Sequence, residues 1–230
     1  MGAETTDQAL LFDLDGTLID SMPLHEQAWI TWHQRHGMVM EASSFFASTA
    51  GRTNIEILIS MLPGQLASTY QTWEDEKESL YRDLAAVNLT LIAGARDYLV
   101  QARAQGFKLA ICTASTPKNM ALAFDRFGLD AMVDTITSPS DGLRGKPHPD
   151  IFLEAAKRLS TLPLQCVVFE DAPLGVEAAR RAGMRTVALT TSLPATAFGG
   201  FDNVICEAAD FTGVSAPDIL VTRRPRSVTP

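Results

Sequence analysis

The stretch Leu10-Leu11-Phe12-Asp13-Leu14-Asp15-Gly16-Thr17-Leu18 links a short apolar run to a polar turn that carries two carboxylates. Other apolar runs of similar length recur along the 230 residues, and helical patterns separate them. Such uninterrupted apolar runs are typical of strands that are buried on both faces. Their alternation with helices predicts an α/β fold, in which a parallel sheet has helices on both faces.

Six apolar runs are predicted to be strands. They are Ala9–Phe12, Lys108–Cys112, Val133–Thr137, Cys166–Phe169, Thr186–Leu189 and Val204–Cys206. Four helical patterns flank the later strands. They are Ala95–Gln105, Asn119–Phe127, Asp150–Ser160 and Leu174–Ala182. Gly106, Gly128 and Gly183 close three of these helices, and Pro173 opens one, an arrangement that is typical of helix ends.

The stretch between the first two strands breaks this alternation, because no convincing strand lies between Met22 and about Leu89. Helical patterns cover Leu24–His36, Asn54–Leu62 and Leu66–Val87. We therefore predict an all-helical insertion at 22–89 and a discontinuous core at 1–21 and 90–230. The segment at about 216–230 has few apolar residues, so we expect a loosely ordered tail there.

The composition narrows the possible function classes. With 27 acidic and 19 basic residues the net charge is −8, which argues against nucleic acid as a partner. No apolar run approaches the roughly 18 residues that span a bilayer, and Met1–Gln8 has no Lys or Arg, unlike a signal peptide. Cys112, Cys166 and Cys206 lie singly in apolar runs, so we expect buried thiols in a reducing, cytoplasmic compartment.

Polar residues follow several of the predicted strands. They are Asp13 to Thr17 after the first strand, Thr113-Ala114-Ser115 after the second and Glu170-Asp171 after the fourth, while Gly145-Lys146-Pro147 precedes a helix. Ligands of doubly wound sheets bind beyond the carboxyl ends of the strands. We therefore expect these groups to converge on one rim of the sheet.

Four carboxylates on this rim, those of Asp13, Asp15, Glu170 and Asp171, cannot all stay ionised without counter-charges. Lys146 supplies only one positive charge. A hard divalent cation with oxygen ligands would resolve the imbalance, and Mg²⁺ suits a site that also takes phosphate. The sequence therefore predicts Mg²⁺ as the cofactor.

The same rim has groups that suit an anion. Gly16 allows a tight turn whose backbone N–H groups can face a phosphate, and the Thr113 hydroxyl with the N–H groups of Ala114 and Ser115 can do the same. Lys146 would neutralise further charge. A carboxylate in this cradle can attack phosphorus to form an aspartyl-phosphate, and a second carboxylate can protonate the leaving oxygen and then activate water.

These residues resemble the four motifs of the haloacid dehalogenase superfamily. The motifs appear in order as Leu10 to Leu18, Thr113, Lys146 within Gly-Lys-Pro-His-Pro-Asp, and Phe169-Glu170-Asp171-Ala172-Pro173-Leu174-Gly175. The match covers essentially the whole predicted core. The resemblance implies a Rossmann-like core, with the helical insertion as a cap in the first of the family's two cap positions.

By the same resemblance, Asp13 is the nucleophile and Asp15 the general acid and base. Asp13, the Asp15 carbonyl and Asp171 would hold Mg²⁺, with Glu170 as a direct or water-mediated ligand. Thr113 and Lys146 would bind phosphate. The partner would be a small phosphorylated metabolite, with no nucleic acid and no membrane, and the protein would be a monomer or a small homo-oligomer.

Specificity is expected to lie in the cap. Sugar-phosphate members with this cap often have a His near the acid and base, and His25 occupies a similar place. Arg52 could bind a second anionic or hydroxylated group of the substrate. The alternative is that Arg52 is an exposed loop residue with no contact to the substrate. Trp29 and Trp32 are interpreted as the core of the cap.

The favoured function is a phosphatase for a sugar phosphate or similar metabolite. A β-phosphoglucomutase-like enzyme is the main alternative, but such mutases usually have a Lys four residues before the cap Arg, and here that residue is Ser48. A metal-independent dehalogenase would not need the acid at Asp15. A non-catalytic binding module is a distant alternative, because no motif residue is missing.

Overall fold

The computed structural model describes residues 7–41, 45, 48–49 and 52–215, and the predicted loose tail at 216–230 lies outside them. Six parallel strands form one sheet in the order β3-β2-β1-β4-β5-β6. The strands are β1 Ala9–Phe12, β2 Lys108–Cys112, β3 Thr135–Thr137, β4 Cys166–Glu170, β5 Arg185–Leu189 and β6 Val204–Ala208. The predicted parallel sheet is confirmed.

The α-helices of the described chain comprise three between 22 and 88 and four that flank the sheet. They are α1 Met22–Arg35, α2 Asn54–Met61, α3 Ala67–Asn88, α4 Ala95–Ala104, α5 Pro117–Phe127, α6 Asp150–Arg158 and α7 Pro173–Arg181. No helix in the described part of the chain is long and apolar enough to cross a membrane.

Strand β1 lies at the centre of the sheet and is wholly buried. Leu10 and Phe12 face the apolar cluster that includes residues of α4 and α5, whereas Ala9 and Leu11 face the cluster formed with α6 and α7. This alternation places helices on both faces of the sheet, as predicted. Phe12 also stacks on Phe169 of β4, with 4.7 Å between ring centroids.

The strand order fixes where polar residues can meet. From β1 the chain steps outwards to β2 and β3, and it returns to the other side of β1 for β4 to β6. The ends of β1, β2 and β4 therefore lie side by side at the switch point, where doubly wound sheets bind ligands.

Helices α1 to α3 form a helical insertion between β1 and β2. Two segments connect this insertion to the sheet, at 18–20 and 90–92, and they are hydrogen-bonded to each other. The Asp20 N–H donates to the Thr90 carbonyl at 2.9 Å, and the Ile92 N–H donates to the Leu18 carbonyl at 3.0 Å. Trp29 and Trp32 are buried in this insertion. The division of the chain into a core at 1–21 and 90–230 and a cap at 22–89 stays a prediction.

The start of β3 and the burial of one cysteine differ from the sequence-based expectation. Strand β3 begins at Thr135 rather than Val133, because the Asp134 carboxylate accepts the Leu109 N–H at 2.7 Å where a strand backbone would continue. Cys112 and Cys166 are buried, but Cys206 is only half-buried, because it lies on the edge strand β6. The expectation of three buried thiols was therefore wrong for Cys206.

Candidate active site

Three carboxylates meet where β1 and β4 end. Asp13 follows β1, Glu170 is the last residue of β4, and Asp171 comes next. All three are buried, and each offers an oxygen that lies within 4.8 Å of the others. Parallel pairing of β1 with β4 in register explains this convergence, because Phe12 lies opposite Phe169.

Lys146 lies between two of these carboxylates. Its Nζ is 2.5 Å from Oδ1 of Asp13 and also donates to Oε1 of Glu170. Burial acts to lower the pKa of Lys146, but the two carboxylates outweigh it and hold that pKa well above its usual value. The ammonium group is therefore a fixed positive charge in the site.

One ammonium does not balance three carboxylates. Burial, with Glu170 and Asp171 adding to it, holds the pKa of Asp13 well above its usual value despite Lys146. Burial and Glu170 raise the pKa of Asp171 to about 7. This surplus of negative charge, on a donor set made only of oxygen, fits a hard divalent cation such as Mg²⁺.

Asp171 is held by two hydroxyls, and only that of Thr17 belongs to a residue that the sequence placed on the rim. Thr17 Oγ1 donates to Asp171 Oδ1 at 3.1 Å, and Ser192 Oγ donates to Oδ2. Thr191 Oγ1 donates to the Gly16 carbonyl at 2.5 Å. Thr191 and Ser192 follow β5, so the rule that polar residues after strands line the site could have found them.

Two glycines leave room for the carboxylates. Gly16 has a φ of 77°, as the predicted tight turn requires, and a Cβ there would overlap Oδ2 of Asp171. Gly175 lies in α7, where a Cβ would overlap the carboxylate of Glu170. The close approach to carboxylates is a requirement that the sequence analysis did not identify.

Glu170 does not cap α7, although it lies shortly before that helix. The N-cap residue is Ala172, and it makes no side-chain cap hydrogen bond. Glu170 Oε2 instead accepts the N–H groups of Asp171 and Ala172, each at 3.1 Å. These bonds fix the carboxylate in the turn and leave Oε1 to Lys146.

The residues after β2 line the same cavity as Asp13 and Asp15. Thr113 Oγ1 accepts the Ser115 N–H at 3.0 Å, so this N–H, which we expected to face an anion, is already used within the turn. Ala114 and Ser115 both border the cavity.

Asp15 lies across from the cluster and faces the helical insertion. Its Oδ1 is buried and has no hydrogen-bond partner among the described residues, and His25 Nε2 is 3.7 Å away. Burial alone would raise the pKa of Asp15, but His25, assisted by Ser21 and Ser115, brings it below its usual value. The structure thus brings His25 next to Asp15, the carboxylate near which the family resemblance suggested a histidine.

His25 is itself held by a lysine that sequence reasoning missed. Lys77 Nζ lies 2.7 Å from His25 Nδ1, and the His25 ring stacks on Tyr81 with 3.8 Å between centroids. Because an ammonium only donates, Nδ1 accepts and Nε2 carries the proton towards Asp15. Burial lowers the pKa of Lys77, although Glu78 opposes this. No signal in the sequence separates Lys77 from the other charges of the long helix α3.

Arg52 borders the cavity, but its guanidinium donates to the Glu56 carbonyl of α2 at 2.8 Å. The cavity has a volume of about 400 Å³ and lies between the sheet and the helical insertion. Its inner end holds Asp13, Lys146 and Glu170. Its outer end is lined mainly by residues of the helical insertion, among them His25, Trp29, Asn54, Ile57, Lys77 and Glu78.

Residues 8–183 match the family model for haloacid dehalogenase-like hydrolases. The chain is 32% identical to validoxylamine A 7'-phosphate phosphatase of Streptomyces hygroscopicus subsp. limoneus, over 91% of this chain and 96% of that protein. It is 30% identical to hexitol phosphatase A of Escherichia coli, over 93% and 98%. It is 29% identical to the β-phosphoglucomutase of Bacillus subtilis, over 89% and 92%.

A solved structure agrees with these sequence relationships. The crystal structure of a family IA, variant 3 hydrolase of this kind from Entamoeba histolytica superimposes with a TM-score of 0.85 at 26% identity. The match covers 93% of this chain and 97% of the other. The sheet, the flanking helices and the helical insertion thus recur together in a known fold.

Replacing Gly175 tests the packing of Glu170. In an ordinary helix, Gly→Ala stabilises a protein by up to about 1 kcal/mol. At Gly175 the new methyl group would displace Glu170 from Lys146, so we expect Gly175→Ala to lower the free energy of unfolding by about 1–3 kcal/mol. Urea unfolding measures the change.

Gly200→Ala is the matched control, because a Cβ at Gly200 meets nothing within 4 Å. We expect it to change stability by less than about 0.5 kcal/mol. A stabilised Gly175→Ala protein would contradict the tight approach of Glu170 to α7.

Proposed function

The chain belongs to the haloacid dehalogenase-like hydrolases, and we propose that it is a Mg²⁺-dependent phosphatase that hydrolyses a small phosphate ester through an aspartyl-phosphate on Asp13. The observation that carries the proposal is the placement of Asp13. Its carboxylate lies at the inner end of the cavity, in contact with Lys146 and beside Glu170 and Asp171. Such a site suits phosphoryl transfer, which depends on positioning and charge stabilisation.

Asp13, the Asp15 carbonyl and Asp171 would hold Mg²⁺, with Glu170 as a direct or water-mediated ligand. When bound, this cation would offset the charge of the carboxylates and of the phosphoryl group.

The phosphate oxygens would be bound by Lys146, by Gly16 and by the turn at Thr113 and Ala114. Lys146 also keeps Asp13 Oδ1 oriented, since the two atoms are 2.5 Å apart.

The reaction would proceed in two steps. In the first, a carboxylate oxygen of Asp13 attacks phosphorus while the bond to the leaving oxygen breaks, and Asp15 gives that oxygen a proton. In the second, Asp15 takes a proton from water, which attacks phosphorus and releases Asp13 and inorganic phosphate. The place of Asp15 in the lining of the same cavity as Asp13 supports this role, and its Oδ1 makes no hydrogen bond among the described residues.

The outer end of the cavity favours a neutral leaving group with several hydroxyls. Glu74 and Glu78 add negative charge there, while Lys77 is paired with Glu78 at 2.8 Å and Arg52 is bonded to a carbonyl. In the lining from the helical insertion, the carboxylates of Glu26, Glu74 and Glu78 outnumber the cations of Lys77 and Arg52, so a second phosphate would meet a net negative charge. The relatives that act on hexitol phosphates and on validoxylamine A 7'-phosphate support a substrate of the polyol or sugar type.

A phosphosugar mutase is the second candidate, and the β-phosphoglucomutase relative favours it. Such an enzyme would return the phosphoryl group from Asp13 to sugar rather than to water. Ser48, where these mutases usually have a lysine, supports the phosphatase instead. Ser48 is exposed, and its hydroxyl donates to the Phe45 carbonyl.

Phosphate release from a panel of phosphate esters in the presence of Mg²⁺ tests the proposal. The panel contains sugar phosphates, sugar alcohol phosphates, phosphoglycolate and glycerol phosphate. We expect free phosphate from at least one ester, and a loss of at least about 10³-fold in Asp13→Asn, because the amide is a poor nucleophile. Release that survives in Asp13→Asn would contradict the role of Asp13.

The mutase is distinguished in the same assay by β-glucose 1-phosphate with a readout for glucose 6-phosphate. A phosphatase would release free phosphate from the esters that it accepts and would form little glucose 6-phosphate. Glucose 6-phosphate without free phosphate would establish the mutase instead.

The negative charge at the outer end of the cavity leads to a separate prediction about bisphosphate substrates. Glucitol 6-phosphate and glucitol 1,6-bisphosphate are both acyclic and differ only in the second phosphate, so they form a matched pair. We expect kcat/KM to be at least about 10-fold lower for the bisphosphate, because its second phosphate would lie near Glu74 and Glu78. Steady-state kinetics measure the ratio, and a preference for the bisphosphate would contradict the neutral leaving group.

A further inference from the structure

Glu78 is a buried carboxylate that joins three helices at the outer end of the cavity. It lies on α3 and is 4% exposed. Its Oε1 accepts from Asn54 Nδ2 of α2 at 2.6 Å and from Lys77 Nζ at 2.8 Å. Its Oε2 accepts from Asn119 Nδ2 of α5. Burial works against the charged form, yet Lys77 and the other partners lower the pKa of Glu78 to about 2.

Asn119 is the partner that lies outside the helical insertion. It is buried in the first turn of α5, the helix that follows β2. Both ends of its amide meet α3, since Nδ2 donates to Glu78 and Oδ1 accepts from Arg82 at 3.3 Å. This pairing accounts for an amide here, because a carboxylate would face Glu78 and an apolar side chain would leave Glu78 Oε2 unpaired.

We propose that Glu78 and Asn119 are positioning residues, whose hydrogen bond holds the helical insertion against the sheet so that Asp15 and the leaving group are aligned. The proposal rests on the function proposed above. Neither residue needs to touch the reacting atoms. They act through the cavity wall to which both belong.

A continuous set of contacts connects this pair with Asp15. Glu78 holds Lys77 at 2.8 Å, Lys77 lies 2.7 Å from His25 Nδ1, and His25 Nε2 lies 3.7 Å from Asp15 Oδ1. Asp15 belongs to the sheet side of the cavity, whereas the other three lie on α1 and α3. The bond to Asn119 therefore sets the distance at which His25 meets Asp15.

Exchanging the carboxylate of Glu78 with the amide of Asn119 would restore the hydrogen bond between α3 and α5. In Glu78→Gln an amide would face the amide of Asn119, so two donors would meet. In Asn119→Asp a carboxylate would face the carboxylate of Glu78. In the double variant, the oxygen of the new amide on α3 can still accept from Lys77 and Asn54, and the nitrogen of that amide can donate to the new carboxylate on α5.

The test measures kcat and KM for the two single variants and the double variant, on the best ester of the panel and on 4-nitrophenyl phosphate as a small artificial ester. We expect each single variant to lower kcat/KM on the panel ester by about 10- to 100-fold. We expect less than about 3-fold loss of kcat/KM on the artificial ester. This ratio reports the first step only, in which 4-nitrophenolate leaves without a proton from Asp15 and does not fill the outer end of the cavity. The double variant should recover to within about 5-fold of the unaltered enzyme.

Arg126→Ala is the matched control. Arg126 also joins α5 to α3, through bonds to the Ala86 and Val87 carbonyls at 2.8 and 3.1 Å, but it does not line the cavity. We expect it to change both esters by less than about 3-fold. Equal losses on both esters, or no recovery in the double variant, would overturn the proposal and leave a purely structural role.

Amide hydrogen exchange keeps this test separate from the proposed function. Each single variant should raise exchange in α1 and α3, and the double variant should restore protection, whether or not an ester is hydrolysed. If the unaltered protein hydrolyses no ester, the proposed function fails while the exchange pattern still decides whether the pair holds the insertion. Unchanged exchange in the single variants would overturn the positioning role.

Discussion

The crowding of three buried carboxylates around one ammonium is the constraint on which the site depends. Asp13, Glu170 and Asp171 lie within 4.8 Å of one another, and Lys146 contacts two of them. At two positions only a glycine leaves room for the carboxylates, and hydroxyls from two loops donate to Asp171. The surrounding structure thus keeps together charges that would otherwise repel one another, as a site for a cation and a phosphate requires.

The parallel sheet makes this crowding possible. Because β1 pairs with both β2 and β4, the turns after these strands reach one point without long loops. The helical insertion then covers that point and contributes a second polar set, His25, Lys77 and Glu78. In the proposed reaction, the first set would support attack on phosphorus and the second set would bound the leaving group. The second set also faces Asp15.

Much of this arrangement could be predicted from sequence. Uninterrupted apolar runs such as Ala9–Phe12 predicted the strands, and polar residues directly after them predicted the cluster. Lys77 and Glu78 could not be found in this way, because their burial depends on how α3 packs, and the charged pattern of α3 is equally typical of an exposed helix. The partial exposure of Cys206 could not be predicted either, because the apolar pattern of an edge strand does not differ from that of a central strand.

Titration with Mg²⁺ in a calorimeter tests whether the carboxylate cluster holds a divalent cation, as we propose. We expect the unaltered protein to bind one Mg²⁺ per chain and Asp171→Asn to bind it at least about 10-fold more weakly. Asp20→Asn is the matched control, because Asp20 is exposed, and it should bind as the unaltered protein does. No binding by the unaltered protein, or equal binding by Asp171→Asn, would show that the cluster does not hold the ion.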